Sequence, residues 1–419
     1  MIDIKHLAQN IAQYENELAK RNMDTTLATK AAELYETIKT IQQELDEVRK
    51  QKNDFNKEVL TLAGEAKQEA IGKMKAVAET IKELEERVRA HQTDFDAIIY
   101  RIPNVTWDGI PVGKDDEANV ETKLFGQKPV FDFEAKNYFE LPVFKRDYLG
   151  EKGVEAFASR GYYIKGELAR FQRILFNYVL ENLMGRGFEY VIPPIMVNEK
   201  LLYGTGFFPT AKDDVYKVYE GDKEFYLTGT SEAALMFLDS NSVLDLTKPR
   251  LLTGWTTCFR KESGTYGKDT QGGIRVHQFE KVETVVICKP EESAAMFDVI
   301  TNVFTENMVS LGLHVHHLEV SSGDIGIKNN RQIDIEAWFP AQGKYRELSS
   351  SSNCTNYQTR NLNIKYQTEL GDTELAHSLN CTGVTNRAMF AIMEQFQQAD
   401  GKVKIPQVLV ERFGKEFLE

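Results

Sequence analysis

An α+β fold is the class this sequence predicts: an antiparallel β-sheet core flanked by helices, preceded by an all-α antiparallel coiled-coil arm. Three observations carry it. The first hundred residues place apolar side chains in heptads with a single break. The remainder runs through alternating segments joined by short reversals, with helices set apart. No Walker loop and no dinucleotide-binding glycine pattern follows a strand, so a bound nucleotide would need an open sheet face. At 419 residues the chain is long for one core, and two domains are expected, 1–103 and 104–419.

With 42% hydrophobic and 27% charged residues the chain can bury a sizeable interior, which excludes wholesale disorder. A net charge of −12 argues against indiscriminate nucleic-acid binding but leaves room for a local basic surface. Cys258, Cys288, Cys354 and Cys381 form no CxxC pair and read as reduced thiols of a cytoplasmic protein. The opening MIDIKHLAQN has neither an apolar signal core nor an Arg-rich presequence, and no stretch is apolar enough to span a bilayer, so no membrane partner is expected.

In the arm (about 27–100), Leu27, Leu34, Ile38, Ile41, Leu45, Val48, Phe55, Val59 and Leu62 form one heptad seam. Met74, Val77, Ile81, Leu84, Val88, Phe95 and Ile98 form a second. Ala63-Gly64-Glu65 is the expected reversal, and a helix over 27–62 would reach roughly 54 Å. Such a hairpin holds no chemistry; it is a spacer, a dimerisation rod or a reaching arm. Over 49–75 seven basic residues (Arg49, Lys50, Lys52, Lys57, Lys67, Lys73, Lys75) outnumber the acids Asp54, Glu58, Glu65 and Glu69, for a local net charge of +3. That suits a polyanion held by its phosphates, or the ordinary solvated face of a coiled coil.

Arg101–Asp116, with two prolines and two glycines, reads as the linker that ends the arm. A helix over Glu167–Leu183 follows, stopped by Gly185-Arg186-Gly187, and then a strand at Phe188–Ile192 leading to Pro193-Pro194. Further strands are expected at Glu224–Thr228, Thr256–Glu262, Val276–Cys288, His314–Val320, Gln332–Phe339 and Tyr345–Ser349, with a late helix at Ala388–Phe396.

The segment from Trp255 to Glu283 holds most of the chemistry. Alternation puts Arg260 and Glu262 on one strand face, a stretch with Gly264, Gly267, Gly272 and Gly273 turns the chain, and Arg275, Phe279 and Glu283 share a face of the returning strand. With Arg260 near Phe279, one surface would offer forked cations for phosphates, a ring for a base and carboxylates for amino groups. The bland reading is a hairpin with a charged outer face. Three further constellations stand beside it. LTGTSEAAL sets Thr230, Ser231 and Glu232 before an apolar helical run, as a helix cap or a substrate clamp. In ELSSSSN, Glu347 and Ser350 are either oxygen ligands for Mg²⁺ or a polar strand end. In LNCTGVTNR, Asn380 and Thr382 precede a helix that opens at Arg387, facing an anion or solvent. His314 and His316 share a strand face with His317 opposite, but no cysteine or carboxylate sits at ligand spacing, and no metal is expected there.

These stretches together resemble the seryl-tRNA synthetases, which are class II aminoacyl-tRNA synthetases. The resemblance spans nearly the whole chain: the MIDIKHL opening, the hairpin, RIPNVTWDGIPVGKDDEAN, the strand ending in Pro193-Pro194, FRKESGTYGKD with RVHQFEKVE, and the arginine-bearing helix start. It implies a class II synthetase-like core and an ATP-dependent serine–tRNA ligase acting as a homodimer. Arg260, Arg275 and Arg387 would be catalytic, with Arg260 on the α-phosphate and activated carboxyl and the other two on the terminal phosphates. Glu262 would read the adenine amino group and Phe279 would stack the ring. Glu347 and Ser350 would hold Mg²⁺. Thr230 and Glu283 would surround the serine ammonium, Asn380 and Thr382 would recognise its hydroxyl, and Glu232 lies in the same loop. The arm, through Arg49, Lys50, Lys52, Lys57, Lys73 and Lys75, would grip tRNA(Ser), with tRNA(Sec) left open as a second acceptor. One departure stands out: Thr382 to Arg387 is five steps where the family has six. A related ligase that loads a carrier protein would lack the arm, and an inactive paralogue would have no need of so many converging charges.

Overall fold

The computed structural model describes every residue except 60–61, 264–268 and 270, and at 58 the backbone alone. The chain divides into two compact units, Ile2–Pro103 and Asn104–Glu419 together with Met1.

In the first unit, α1 (Ile4–Gln9) and α2 (Ile11–Lys20) precede two long helices, α3 (Thr26–Val59) and α4 (Gly64–Ile99). Asp3 caps α1 by accepting from the Lys5 N–H at 2.9 Å. The heptad seams meet as expected: Ile41 and Leu45 of α3 pack on Ile81 and Leu84 of α4, with Val48, Val77 and Val88 half-buried beside them. Helix α3 is described as far as Val59; residues 60–61 of the expected helix lie outside the described residues, and the φ of +63° at Gly64 suits glycine. Arg49, Lys50, Lys57, Lys67, Lys73 and Lys75 are exposed and Lys52 is half-buried. Arg49 also bridges the helices, 2.8 Å from Glu85, a solvated pair that adds little stability.

In the second unit an eight-stranded sheet is built from β1 (Val120–Phe125), β2 (Glu189–Tyr190), β3 (Arg250–Phe259), β4 (Gln278–Cys288), β5 (Val315–Glu319), β6 (Arg331–Phe339), β7 (Lys344–Thr355) and β8 (His377–Thr385). Their spatial order is β1-β5-β6-β7-β8-β4-β3-β2, and all neighbours are antiparallel except β2 and β3. One face carries the core. Helices α5 (Gly166–Gly185), α7 (Ser293–Ser310) and α8 (Asn386–Gln395) cover it, burying Phe171, Leu175 and Val179 of α5 against Val282, Val286 and Val384. The short α6 (Glu232–Leu238) lies towards the other face with Leu235 against Leu252 and Val285. Among the described residues no helix is long and apolar enough to cross a membrane. All four cysteines are buried free thiols.

Several expectations need correction. The strand predicted over Thr256–Glu262 ends at Phe259, and Glu262 has φ +55°, so Arg260 and Glu262 do not alternate along a strand. The returning strand begins at Gln278, leaving Arg275 ahead of it. Gly264 and Gly267 fall outside the described residues; Gly272, at φ +77°, lies too close to the Tyr138 hydroxyl for any Cβ. Residues 104–110 are not a loose linker: Asn104 donates to the Cys354 carbonyl at 2.9 Å, and Ile110 packs on Val320 and Ile325. Strand 223–227 belongs to a separate three-stranded sheet with Met196–Val197 and Lys217–Glu220.

Candidate active site

Pairing of β3 with β4 sets Phe279 opposite Cys258, one step before the strand ends. Arg260 leaves that end with its N–H donated to the His277 carbonyl at 3.0 Å, while the His277 ring donates to the Arg260 carbonyl at 3.1 Å. So anchored, its guanidinium carbon lies 5.3 Å from the Phe279 ring centroid.

Two β-bulges aim the remaining groups. Between β4 and β8, Val282 faces Val384 and Glu283 faces Thr382, so Gly383 is the extra residue. A Cβ there would press on Val282 at 3.1 Å and Leu183 at 3.2 Å. The bulge leaves Glu283, Thr382 and Asn380 on the face away from the core. Between β6 and β7, Ser349 faces Ile335 and Glu347 faces Glu336, with Leu348 extra. Glu347 and Ser350, an odd number of residues apart, thereby share a face. Asp334 stands opposite Ser350 on the same side.

A cavity of about 70 Å³ brings together Arg260, Glu262, Phe279, Glu347, Thr382 and Arg387. Ahead of Arg387, β8 runs straight to Thr385, whose hydroxyl accepts the Arg387 N–H at 3.3 Å and caps α8. The guanidinium then donates to the Glu347 carboxylate and carbonyl, both at 2.9 Å. Burial would raise the Glu347 carboxyl, but Arg387, Arg260 and Lys281 outweigh it and hold it below its ordinary value. Asp334 goes the other way, up to about 8, through burial and the neighbouring Glu347 charge. Arg275 stays at the rim, its Nη1 2.6 Å from Glu262 and its Nε 3.8 Å from Asp269, which Arg346 also engages at 2.5 Å.

The other predicted residues form a connected polar group. Thr230 donates to Glu283 at 3.2 Å and accepts from the Glu232 N–H at 3.2 Å, at the start of α6. Asn380 donates to Glu232 at 3.1 Å. Burial, with Glu232 nearby, raises the Glu283 carboxyl even though Lys281 pairs with it. Arg260 and Thr230 also line a second small cavity, of about 80 Å³.

Four residues escaped sequence reading. Lys281 is buried against Glu283, and its position between Phe279 and Glu283 on one strand face was a usable signal. Lys328, paired with Glu232, and Asp334 and Arg346 gave none, since their partners lie far off in sequence. His316 is held by Glu121 at 2.6 Å and Glu336 at 2.9 Å, both nitrogens spent. Among the described residues no group of three His, Cys, Asp or Glu side chains is arranged to hold a metal. Glu347, Ser350 and Asp334 do present hard oxygen donors on one face, which fits a magnesium ion that keeps waters and phosphates as its other ligands.

Comparison with known proteins agrees with this architecture. Residues 1–106 match the seryl-tRNA synthetase N-terminal domain, and 216–396 match the tRNA synthetase class II core domain (G, H, P, S and T). A serine–tRNA ligase of Campylobacter jejuni is 38% identical over 415 residues, covering 99% of this chain and 100% of that one. The corresponding protein of Aliarcobacter butzleri is also 38% identical, covering 98% and 99%. The crystal structure of seryl-tRNA synthetase from Pyrococcus horikoshii complexed with ATP superposes with a TM-score of 0.89 at 32% identity, covering 100% of this chain and 99% of that one. This chain belongs to the seryl-tRNA synthetase family.

Proposed function

We propose that this chain is a serine–tRNA ligase that makes seryl-adenylate from serine and ATP and passes the seryl group to the 3′ end of tRNA(Ser). The observation that carries the reading is the continuity of the site: Arg260 stands over Phe279 in the cavity that also holds Arg387 and Thr382, and it lines the second cavity with Thr230.

In the first step a serine carboxylate oxygen attacks the α-phosphorus, a mixed anhydride forms and pyrophosphate leaves. In the second, a hydroxyl of the terminal ribose attacks the carbonyl, an ester forms, AMP leaves and the hydroxyl proton is released to solvent. Neither step requires an enzyme nucleophile. Preorganised positive charge and orientation are enough. Phe279 stacks the adenine and Glu262 accepts from its amino group. Arg260 bridges the α-phosphate and the serine carboxylate. Arg275 and Arg387 exchange Glu262 and Glu347 for the terminal phosphates when ATP arrives. Thr230 and Glu283 receive the serine ammonium, while Asn380 and Thr382 receive its hydroxyl. Alanine would leave those polar groups unpaired, and this makes the pocket selective. Glu347 and Ser350, with Asp334 beside them, would hold Mg²⁺, which when bound neutralises polyphosphate charge.

The exposed basic residues of the arm suit tRNA phosphates. A cytoplasmic homodimer completes the reading. It is supported by Ile192 (81% exposed), Ile195 and Met196 next to the two-residue edge strand β2, an apolar surface open to solvent in the isolated chain. A sedimentation mass of one chain would remove the dimer.

Serine-dependent ATP–pyrophosphate exchange, run beside glycine, alanine and threonine, tests the function. Exchange is expected with serine, far above the others; none with any of the four rejects a ligase.

A further inference from the structure

We propose that Lys328 is a positioning residue that sets the hydroxyl specificity of the amino-acid pocket through Glu232 and Asn380; the inference rests on the serine reading above. One oxygen of Glu232, Oε1, collects three donors: the Lys328 ammonium, the Gln358 amide at 2.8 Å and the Asn380 amide at 3.1 Å. The cluster is dry, with Glu232 5%, Gln358 1% and Asn380 7% exposed. A carboxylate can only accept, so the edge of Asn380 that meets it must be the NH₂. That leaves the amide oxygen as the accepting edge of Asn380. A substrate hydroxyl has one proton to give it, whereas a methyl group has none.

That orientation needs Glu232 to carry its charge. A carboxylate this deep without a counter-ion is strongly unfavourable, so the cluster would have to rearrange and the amide would no longer be held to one edge. The other donors to Glu232 Oε1 are neutral amides, so Lys328 supplies the compensating charge. Its ammonium is fenced in 4.3 Å from the Phe207 ring centroid, and its own carbonyl is held by Asn104 at 3.0 Å. Gln358 is fixed in turn, donating to the Thr205 carbonyl at 3.0 Å and accepting from Ser378 at 2.8 Å. Burial would lower the Lys328 ammonium, but Glu232 overcomes this and the net shift is upward. Lys281 plays a parallel part at Glu283. Each carboxylate of the pocket thus has its own lysine, and only the one on Glu232 governs an amide that faces the hydroxyl.

The test is exchange by the full-length enzyme with serine and with alanine, for wild type, Lys328→Met, Lys328→Arg and the double variant Lys328→Met/Glu232→Gln. Lys328→Met is expected to raise the serine KM and to lower the serine-over-alanine ratio of kcat/KM by roughly tenfold or more. Lys328→Arg should keep the ratio within about threefold of wild type, because the charge is retained. A merely structural role would depress both amino acids in proportion, and an unchanged ratio in Lys328→Met overturns the inference. If Lys328→Met does not fold, the double variant, which buries no charge in this cluster, is expected to fold and to lose the ratio, because a glutamine can offer either edge to Asn380. A wild-type ratio in the double variant overturns the inference equally. Wild-type enzyme silent with serine would overturn the ligase reading and this inference with it. An active wild type whose ratio survives the substitutions overturns the inference alone.

Discussion

Arg260 owes its place to two hydrogen bonds with His277, one to its backbone carbonyl and one from its ring, which hold it where β3 has ended and β4 has not begun. Such an anchor keeps a guanidinium aimed without relying on its own side-chain packing. Replacing Arg260 by alanine should lower kcat for serine-dependent exchange by about 10²–10³-fold, the scale of losing one preorganised donor to developing charge. Turnover within a few-fold of wild type would remove the residue from the chemistry. The residues legible in the sequence were those whose neighbours are local: Arg260 and Phe279 stand at the paired ends of β3 and β4, and Thr230 and Glu232 sit together at the start of α6. Glu262 and Arg275 were legible as residues but not as geometry, because a strand was extended through a position that takes φ +55°. Lys328 was invisible, since nothing near it in the chain hints at a carboxylate at position 232.

Strand β5 shows what a buried titratable group contributes to an element. His317 donates to the Thr305 hydroxyl of α7 at 2.7 Å, because that hydroxyl spends its own proton on the Thr301 carbonyl. Burial, with Lys123 and His316 nearby, depresses the imidazole to about 4. A base whose folded value lies below its unfolded one contributes fully at a pH above the unfolded value, near 6.5, and loses that stability as pH falls towards 4. The loss amounts to about 3 kcal/mol over that window. His316 opposes it: burial would lower this histidine, but Glu336 and Glu121 raise it, so its contribution is complete at low pH and fades as pH rises through its folded value. His317→Gln keeps a donor for Thr305 and cannot charge. Urea melts at pH 7 and pH 4.5 should show the variant losing less stability than wild type on acidification; equal losses would show that His317 is not the acid-sensitive joint. Elements with strong alternation, β4 to β6, were readable in advance. Strand β8 was missed because HSLNCTGVT looks like a polar loop, and its small hydroxyls and amide are satisfied by neighbours such as Gln358 and Glu232. Edge strand β1 was missed because it is exposed along most of its length.

At the scale of the molecule, one continuous stretch makes the arm, while the site gathers residues from 230 to 387. Removing Leu34–Val88 and rejoining the ends by a short turn should leave serine-dependent exchange within a few-fold of wild type and abolish tRNA charging. Parallel loss of both activities would refute that division of labour. The helical arm was legible because heptads announce themselves over many turns; the order of strands was not, since nothing local says which edges will meet. That order carries a consequence for synthesis. Strand β8 is the last of the eight to leave the ribosome, yet it lies between β7 and β4 near the middle of the sheet. Until it arrives, two long hydrogen-bonding edges stand unpaired, inviting aggregation. A chain cut short before His377 is therefore not a slow enzyme but a liability, and the cell gains nothing catalytic from a nascent polypeptide until His377–Thr385 has been made.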